Sequence, residues 1–394
     1  MNYEFSDKIK HLAPSAIREI LKHSSDPSVI SFAAGSPSPE TFPAEELALL
    51  SAGVYADAAL SLQYGITEGY APLRELLKSQ LACDGMVRPT DELIITSGGQ
   101  QAIDLCAKVL CNEHDTIICE NPSFIGSLNA FRAYNLNLCG VSMQPDGINI
   151  DELKEKIASE KNVKILYLIP TFQNPTGYEM SEQKRREVYQ ICKEHGIVII
   201  EDDPYSKLRF AGEDIPTIKS IDTEGIVVYC ASFSKIISPG IRLGYCLAPA
   251  PIIAKMTVAK QVNDVHTNLF FQVLAHRYLT QYDLAQHIEK IRGIYRGKCN
   301  LMYDCMQQYF PESAQYRKPQ GGLFMWCLLP EGTDVTAIAK KCIDNKVAIV
   351  PGSAFSVDEN APCSTFRLNF SLPSPQQIEQ GVQIVGRCLT EAGV

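Results

Sequence analysis

Through the middle of the chain, short uninterrupted apolar runs alternate with longer segments whose apolar residues recur at helical spacing. The apolar runs predict strands over 93–96, 116–119, 138–141, 164–169, 197–201, 226–230 and 243–247. Segments between them predict helices over 98–110, 124–134 and 181–195. Strands that are apolar throughout must be covered on both faces, and strands separated by helices connect in parallel. The pattern therefore predicts an α/β fold: a mainly parallel seven-stranded sheet sandwiched by helices, with polar chemistry collected at the carboxyl ends of the strands. After Pro251 the pattern turns helical, from about 254 to 310, and returns to mixed strand and helix from Gly321, which predicts a smaller α+β domain. Pro37, Pro39 and Pro43 interrupt the chain near its start. The expected division is an N-terminal arm with part of the small domain over 1–45, a large domain over 46–290, and a C-terminal small domain over 291–394, the last change falling within a long helix.

Composition narrows the function. The chain has 394 residues, 45% hydrophobic and 21% charged, enough for a sizeable core in two or three domains. Lys and Arg number 36 against 45 Asp and Glu, a net charge of −9, opposite in sign to the basic surface that nucleic acid requires. The first ten residues include Glu4 and Asp7 and lack the apolar core of a secretory signal, and no apolar stretch reaches the roughly 18 residues of a membrane span. A cytoplasmic protein without a membrane partner is expected. The 14 cysteines are scattered from Cys83 to Cys388 with no C-x-x-C pair. They read as small buried hydrophobes in a reducing compartment, with zinc or redox chemistry the lesser alternative and no metal site expected.

Four segments at predicted strand ends carry polar residues that a core would not tolerate unpaired. Ala231-Ser232-Phe233-Ser234-Lys235 is followed seven positions later by Arg242. Such a lysine is either a loop residue in water or a pocket amine made nucleophilic by burial and neighbouring cations, and two serines with an arginine can hold a phosphate beside it. Glu201-Asp202-Asp203-Pro204-Tyr205 leaves another buried run, where a carboxylate caps a turn or pairs with a cationic partner such as a protonated ring nitrogen. Gln173-Asn174-Pro175-Thr176-Gly177 is a turn that brings an amide to the same edge. Ser97-Gly98-Gly99-Gln100-Gln101 lies between strand and helix, where glycine lets backbone N–H groups approach an anion.

Together with Ser31-Phe32-Ala33-Ala34-Gly35, Gln63-Tyr64-Gly65-Ile66-Thr67-Glu68-Gly69-Tyr70, Phe172-Gln173, Gly321-Gly322-Leu323-Phe324 and Phe366-Arg367-Leu368-Asn369, these segments give eight ordered motifs over nearly the whole chain. They resemble the class I/II aminotransferases of the fold-type I pyridoxal-phosphate family, and within it the 2-aminoadipate group. The resemblance implies pyridoxal 5'-phosphate linked to Lys235, which then acts as general acid and base. It implies Asp202 on the pyridine nitrogen, Tyr205 and Asn174 on the ring's phenolic oxygen, and Phe124 stacked on the ring, where relatives often carry tyrosine or tryptophan. Ser232, Ser234, Arg242 and the backbone at Gly99 and Gln100 are implied as phosphate ligands, joined by Tyr64 of a second subunit, so that a homodimer shares its active sites. Arg367 is implied to grip the substrate α-carboxylate, with Asn174 and Gly35 beside it. Ser15 is a plausible helix N-cap before Arg18; the default Arg18 is solvated, whereas the resemblance implies that it reaches the distal end of the substrate.

His195 before Gly196, His266, Trp326 and Met306 are expected to serve packing or helix ends. The function implied is amino-group transfer from an L-amino acid (2-aminoadipate, glutamate, aliphatic or aromatic) to a 2-oxo acid, 2-oxoglutarate, by a ping-pong route. A β-lyase or decarboxylase on the same scaffold is the first alternative. A ligand-sensing domain of a transcription regulator is remote, because the first motif at Ser31 leaves no room for a winged helix before it.

Overall fold

A computed structural model describes residues 3–10, 12 and 26–394. The seven apolar runs form the seven long strands β1 (Asp91–Thr96), β2 (Thr116–Asn121), β3 (Asn137–Gln144), β4 (Val163–Leu168), β5 (Val198–Asp203), β6 (Val227–Ser232) and β7 (Gly244–Pro249). Their order is β1-β7-β6-β5-β4-β2-β3, and a two-residue strand, Gly147–Ile148, adds to the outer edge of β3. Neighbours from β3 to β6 run parallel. β7 is the exception, antiparallel to both β1 and β6. The central strands are buried along most of their length, which is why they read as unbroken apolar runs rather than as alternation.

The helices follow β-strands with explicit end signals. Glu182–His195 starts at Ser181, whose side chain accepts from Lys184 N–H, and stops at Gly196, which takes a left-handed φ of 65°. His195 sits in its last turn with Nδ1 2.9 Å from the Ile191 carbonyl, the helix-end position expected for it. The predicted helical tract from 254 to 310 is three helices, Ala250–Gln261, Leu269–Gln281 and Leu284–Tyr309. Asn268 and Asp283 each cap the helix that follows by accepting from a backbone N–H three residues on, so two short polar signals divide what apolar content alone suggested was continuous. The helix expected from Phe124 starts one residue later, at Ile125, with Phe124 outside it as the capping position.

Gln315–Tyr316, Phe324–Leu328, Thr365–Asn369 and Val350–Pro351 form a separate antiparallel sheet that includes Trp326, and both Trp326 and Met306 are buried. The long helix Leu284–Tyr309 packs on the last helix, Pro375–Glu391. Ile30–Ser31 pairs in parallel with Val347–Ala348, which ties the start of the chain to its last third. Eleven of the 14 cysteines are buried and all are free thiols. Cys106, Cys230 and Cys246 bring their sulfurs within 4.8 Å of one another in the core. No helix among the described residues is long and apolar enough to cross a membrane.

Candidate active site

The carboxyl end of β5 shows how the pleat selects one carboxylate from three. Successive side chains on a strand face opposite sides of the sheet. Glu201 and Asp203 share one face: Glu201 accepts from the Ile218 and Lys219 N–H groups at 2.9 and 2.7 Å, and Asp203 from Tyr229 Oη and Ser206 N at 2.7 and 3.0 Å. Asp202 points the other way, into a cavity of about 350 Å³. Burial raises its carboxyl to about 7, against the hydrogen bond that Tyr167 Oη donates to Oδ2 at 2.7 Å.

β6 delivers the amine to the same cavity. Ser232 closes the strand and caps the turn Phe233–Lys235 by accepting from Ser234 N–H, while the two serine hydroxyls lie 2.7 Å apart. Lys235 Nζ donates to the Gly35 carbonyl at 2.8 Å. Burial, then Arg367 and Arg242, lower this amine to about 8, so its lone pair is available near neutral pH.

One end of the cavity is built for an anion. The first turn of helix Gly99–Leu110 lines the cavity with Gly99 and Gln100, where the N–H groups of a first turn have no partner within their own helix and the helix dipole is positive. Gly98 adopts φ +82°, and a Cβ there would stand 2.5 Å from Arg242 Nη2. Arg242 reaches across to the Ser97 carbonyl at 3.3 Å. Behind the loop, Asp264 accepts from Ser97 Oγ and Gln101 Nε2 at 2.9 and 2.8 Å and is itself paired with buried Lys260 at 2.7 Å. The loop is thereby fixed from the rear while its front stays open.

The other end is built around Arg367. Its guanidinium donates to Asn174 Oδ1 at 2.7 Å and to the Ala33 carbonyl at 2.6 Å. It lies between the rings of Phe324 and Phe355, 4.2 and 4.6 Å from their centroids. Burial lowers it to about 9, and its Nε has no partner among the described residues. Asn174 Nδ2 also lies 3.4 Å from Tyr205 Oη.

The structure thus brings Lys235, Asp202, Tyr205, Asn174, Ser232, Ser234, Arg242, Gly99, Gln100, Phe124, Gly35 and Arg367 to one cavity. Tyr64 is not in its wall: it is 80% exposed, its ring edge-on to His266 at 5.8 Å. Arg18, with Ser15, lies outside the described residues. The motifs did not single out Tyr167, Ser127 or Phe355. A hydroxyl in the apolar 165–168 part of β4 was the one signal for Tyr167, since a buried tyrosine needs a partner for its O–H.

The sequence pattern of the family "Aminotransferase class I and II" matches residues 27–385. Aromatic-amino-acid aminotransferase 1 of Thermococcus litoralis is 38% identical over 400 residues, covering 99% of this chain and 95% of that protein. The crystal structure of Pyrococcus horikoshii kynurenine aminotransferase in complex with PMP is similar with a TM-score of 0.94 at 36% identity, over 98% of this chain and 97% of that one. LysN, the α-aminoadipate aminotransferase of Thermus thermophilus, complexed with N-(5'-phosphopyridoxyl)-L-leucine, is similar with a TM-score of 0.91 at 34% identity, again over 98% and 97%.

Proposed function

The chain belongs to the class I and II aminotransferases and is a pyridoxal-phosphate-dependent transaminase, and from that premise we propose that it moves the amino group of 2-aminoadipate, glutamate, or an aliphatic or aromatic L-amino acid to 2-oxoglutarate by a ping-pong route. The observation that carries the reading is a lysine amine of lowered basicity in one cavity with an anion cradle, a buried carboxylate and a caged arginine. The residues suit the cofactor: Gly98 leaves bare backbone beside Arg242, and Arg367 keeps a buried donor without a partner among the described residues.

When bound, pyridoxal phosphate supplies an aldehyde for amines and a ring that accepts electrons. Ser232, Ser234, Arg242 and the Gly99 and Gln100 backbone hold the phosphate; Asp202 holds the ring nitrogen protonated; Tyr205 and Asn174 face the phenolic oxygen; Phe124 covers the ring. Lys235 carries the cofactor and moves the substrate's α-proton. Arg367 grips the α-carboxylate beside Asn174 and Gly35. Tyr64, exposed in the single chain, completes the phosphate site of a second copy in a homodimer, and Arg18 meets acidic distal groups. The domain division over 1–45, 46–290 and 291–394 and a cytoplasmic location belong to the same reading.

The test is a screen of amino donors with 2-oxoglutarate, following glutamate and the new 2-oxo acid. Transfer that requires 2-oxoglutarate supports the reading. Release of ammonia or carbon dioxide without it would replace the reading by a β-lyase or a decarboxylase.

A further inference from the structure

Asp202 is held by a short chain of hydroxyls that the family motifs do not include. Tyr167 stands on β4 beside β5, its side chain fully buried, and donates to Asp202 Oδ2 at 2.7 Å. Ser127, also fully buried, donates to Tyr167 Oη at 2.8 Å from helix Ile125–Arg132. The Phe131 ring meets the Tyr167 ring edge-on at 5.4 Å and fixes its plane. Ser127 is anchored in turn through its N–H to the Phe124 carbonyl at 3.0 Å, so the chain of contacts joins one wall of the cavity to the carboxylate. No other hydrogen bond among the described residues reaches the Asp202 side chain, and Asp202 itself lines the cavity. One oxygen is therefore taken and the other is left for whatever the cavity holds.

We infer that Tyr167, oriented by Ser127, is a positioning residue that keeps Asp202 an anion with one oxygen presented to the cavity. The inference rests on the reading of Asp202 as the partner of the cofactor's ring nitrogen. A buried carboxylate without a donor drifts toward its neutral form, and a neutral acid cannot hold a protonated ring nitrogen. Around Asp202 the other titratable groups are unhelpful or opposed: Asp203 is acidic and disfavours its charge, Glu120 is itself pushed up to about 7 by burial, and Tyr205 and Tyr167 are neutral phenols whose ionisation burial suppresses. The hydroxyl of Tyr167 is thus the group that favours the anion, and it does so while locking the rotamer. Removing it makes Asp202 more basic, draws the shared proton away from the ring nitrogen, and leaves the ring a weaker electron acceptor.

The experiment uses Tyr167→Phe, which keeps the packed ring, and Ser127→Ala, both as holoenzyme. The cofactor's visible absorbance is titrated with pH alongside steady-state kinetics, cofactor content and thermal melting. A less electron-poor ring makes the Lys235-linked nitrogen more basic, so the spectroscopic midpoint should rise by about half a pH unit or more in Tyr167→Phe and less in Ser127→Ala. kcat should fall roughly tenfold with KM and cofactor content little changed. In an Asp202→Asn background, Tyr167→Phe should shift the midpoint no further. A wild-type midpoint in Tyr167→Phe, or the same shift with and without Asp202, would overturn the inference; a lowered melting temperature with a wild-type midpoint would assign Tyr167 to the core alone. If Asp202→Asn itself left both midpoint and kcat unchanged, the reading of Asp202 would fail and not merely the role of Tyr167.

Discussion

At the scale of single residues, the site sets the basicity of an amine and a carboxylate toward neutrality from opposite sides. Lys235 is brought down to about 8 and Asp202 up to about 7, burial being the first cause of both. Lys235→Ala should lose both the borohydride-reducible linkage and turnover, and borohydride should trap the cofactor on Lys235 in the wild type; trapping on another lysine would refute the assignment. Asp202→Asn should lower kcat by roughly 10²-fold or more while cofactor content falls little, because the phosphate contacts remain. Asp203→Asn, on the opposite face, should spare kcat. The carboxyl of Asp202 also implies a pH effect on the cofactor-free protein. Its pKa is about 7 folded against the ordinary 3.8, so the folded form keeps a proton that the unfolded chain releases, and this contribution to stability is lost as pH rises from about 4 through 7. The melting temperature of cofactor-free Asp202→Asn should exceed that of the wild type at pH 8, and the gap should close as pH falls to about 4. In the sequence, the choice between Asp202 and Asp203 was legible only through the motif. The physical reason, that Tyr229 and Ser206 occupy Asp203 from behind, involves partners that no local pattern identifies.

At the scale of elements, the antiparallel strand β7 is what allows the anion cradle to close. Gly244 begins β7 opposite Ser232, and a Cβ on it would meet Gly98 C at 2.6 Å, Ala231 O at 2.8 Å and Gly99 N at 2.8 Å. These are backbone atoms, so they cannot rotate aside. Gly244→Ala should weaken cofactor binding at least about tenfold, read as Kd by fluorescence titration of the cofactor-free protein. Gly293 and Gly297 in the middle of helix Leu284–Tyr309 are the contrast, since a methyl group on either would meet nothing within 4 Å. Alanine at each should raise stability by about 0.5–1 kcal/mol, measurable by denaturant unfolding, with kcat unaffected. The central strands were legible because burial on both faces makes them apolar along most of their length. The tract from 254 to 310 was less so, because Asn268 and Asp283 act as caps only when the backbone turns, and the two-residue strand at Gly147–Ile148 is too short to have a period.

At the scale of the whole molecule, the proposed function makes the anion-binding end of the cavity and the exposed Tyr64 of a second copy two halves of one site. Tyr64→Phe should leave a two-chain mass in sedimentation and raise the cofactor Kd by roughly tenfold, the loss of one charge-assisted hydrogen bond. A single-chain mass with full activity would refute the shared site. What the sequence could not display at this scale is the caging of Arg367, since Asn174, Ala33, Phe324 and Phe355 converge on it from four distant parts of the chain. That cage has a consequence for how the enzyme can diversify. An arginine already held by two acceptors and two rings surrenders little further side-chain freedom when a ligand arrives, a saving of up to about 2 kcal/mol. Under the proposed role of Arg367 every amino acid offers it the same α-carboxylate, so the common end of the substrate would meet a finished half-site. Donors that differ only beyond Cβ should then enter at similar rates and part company in how slowly they leave. New preferences are open to change at the mouth, in residues that never touch the machinery they serve.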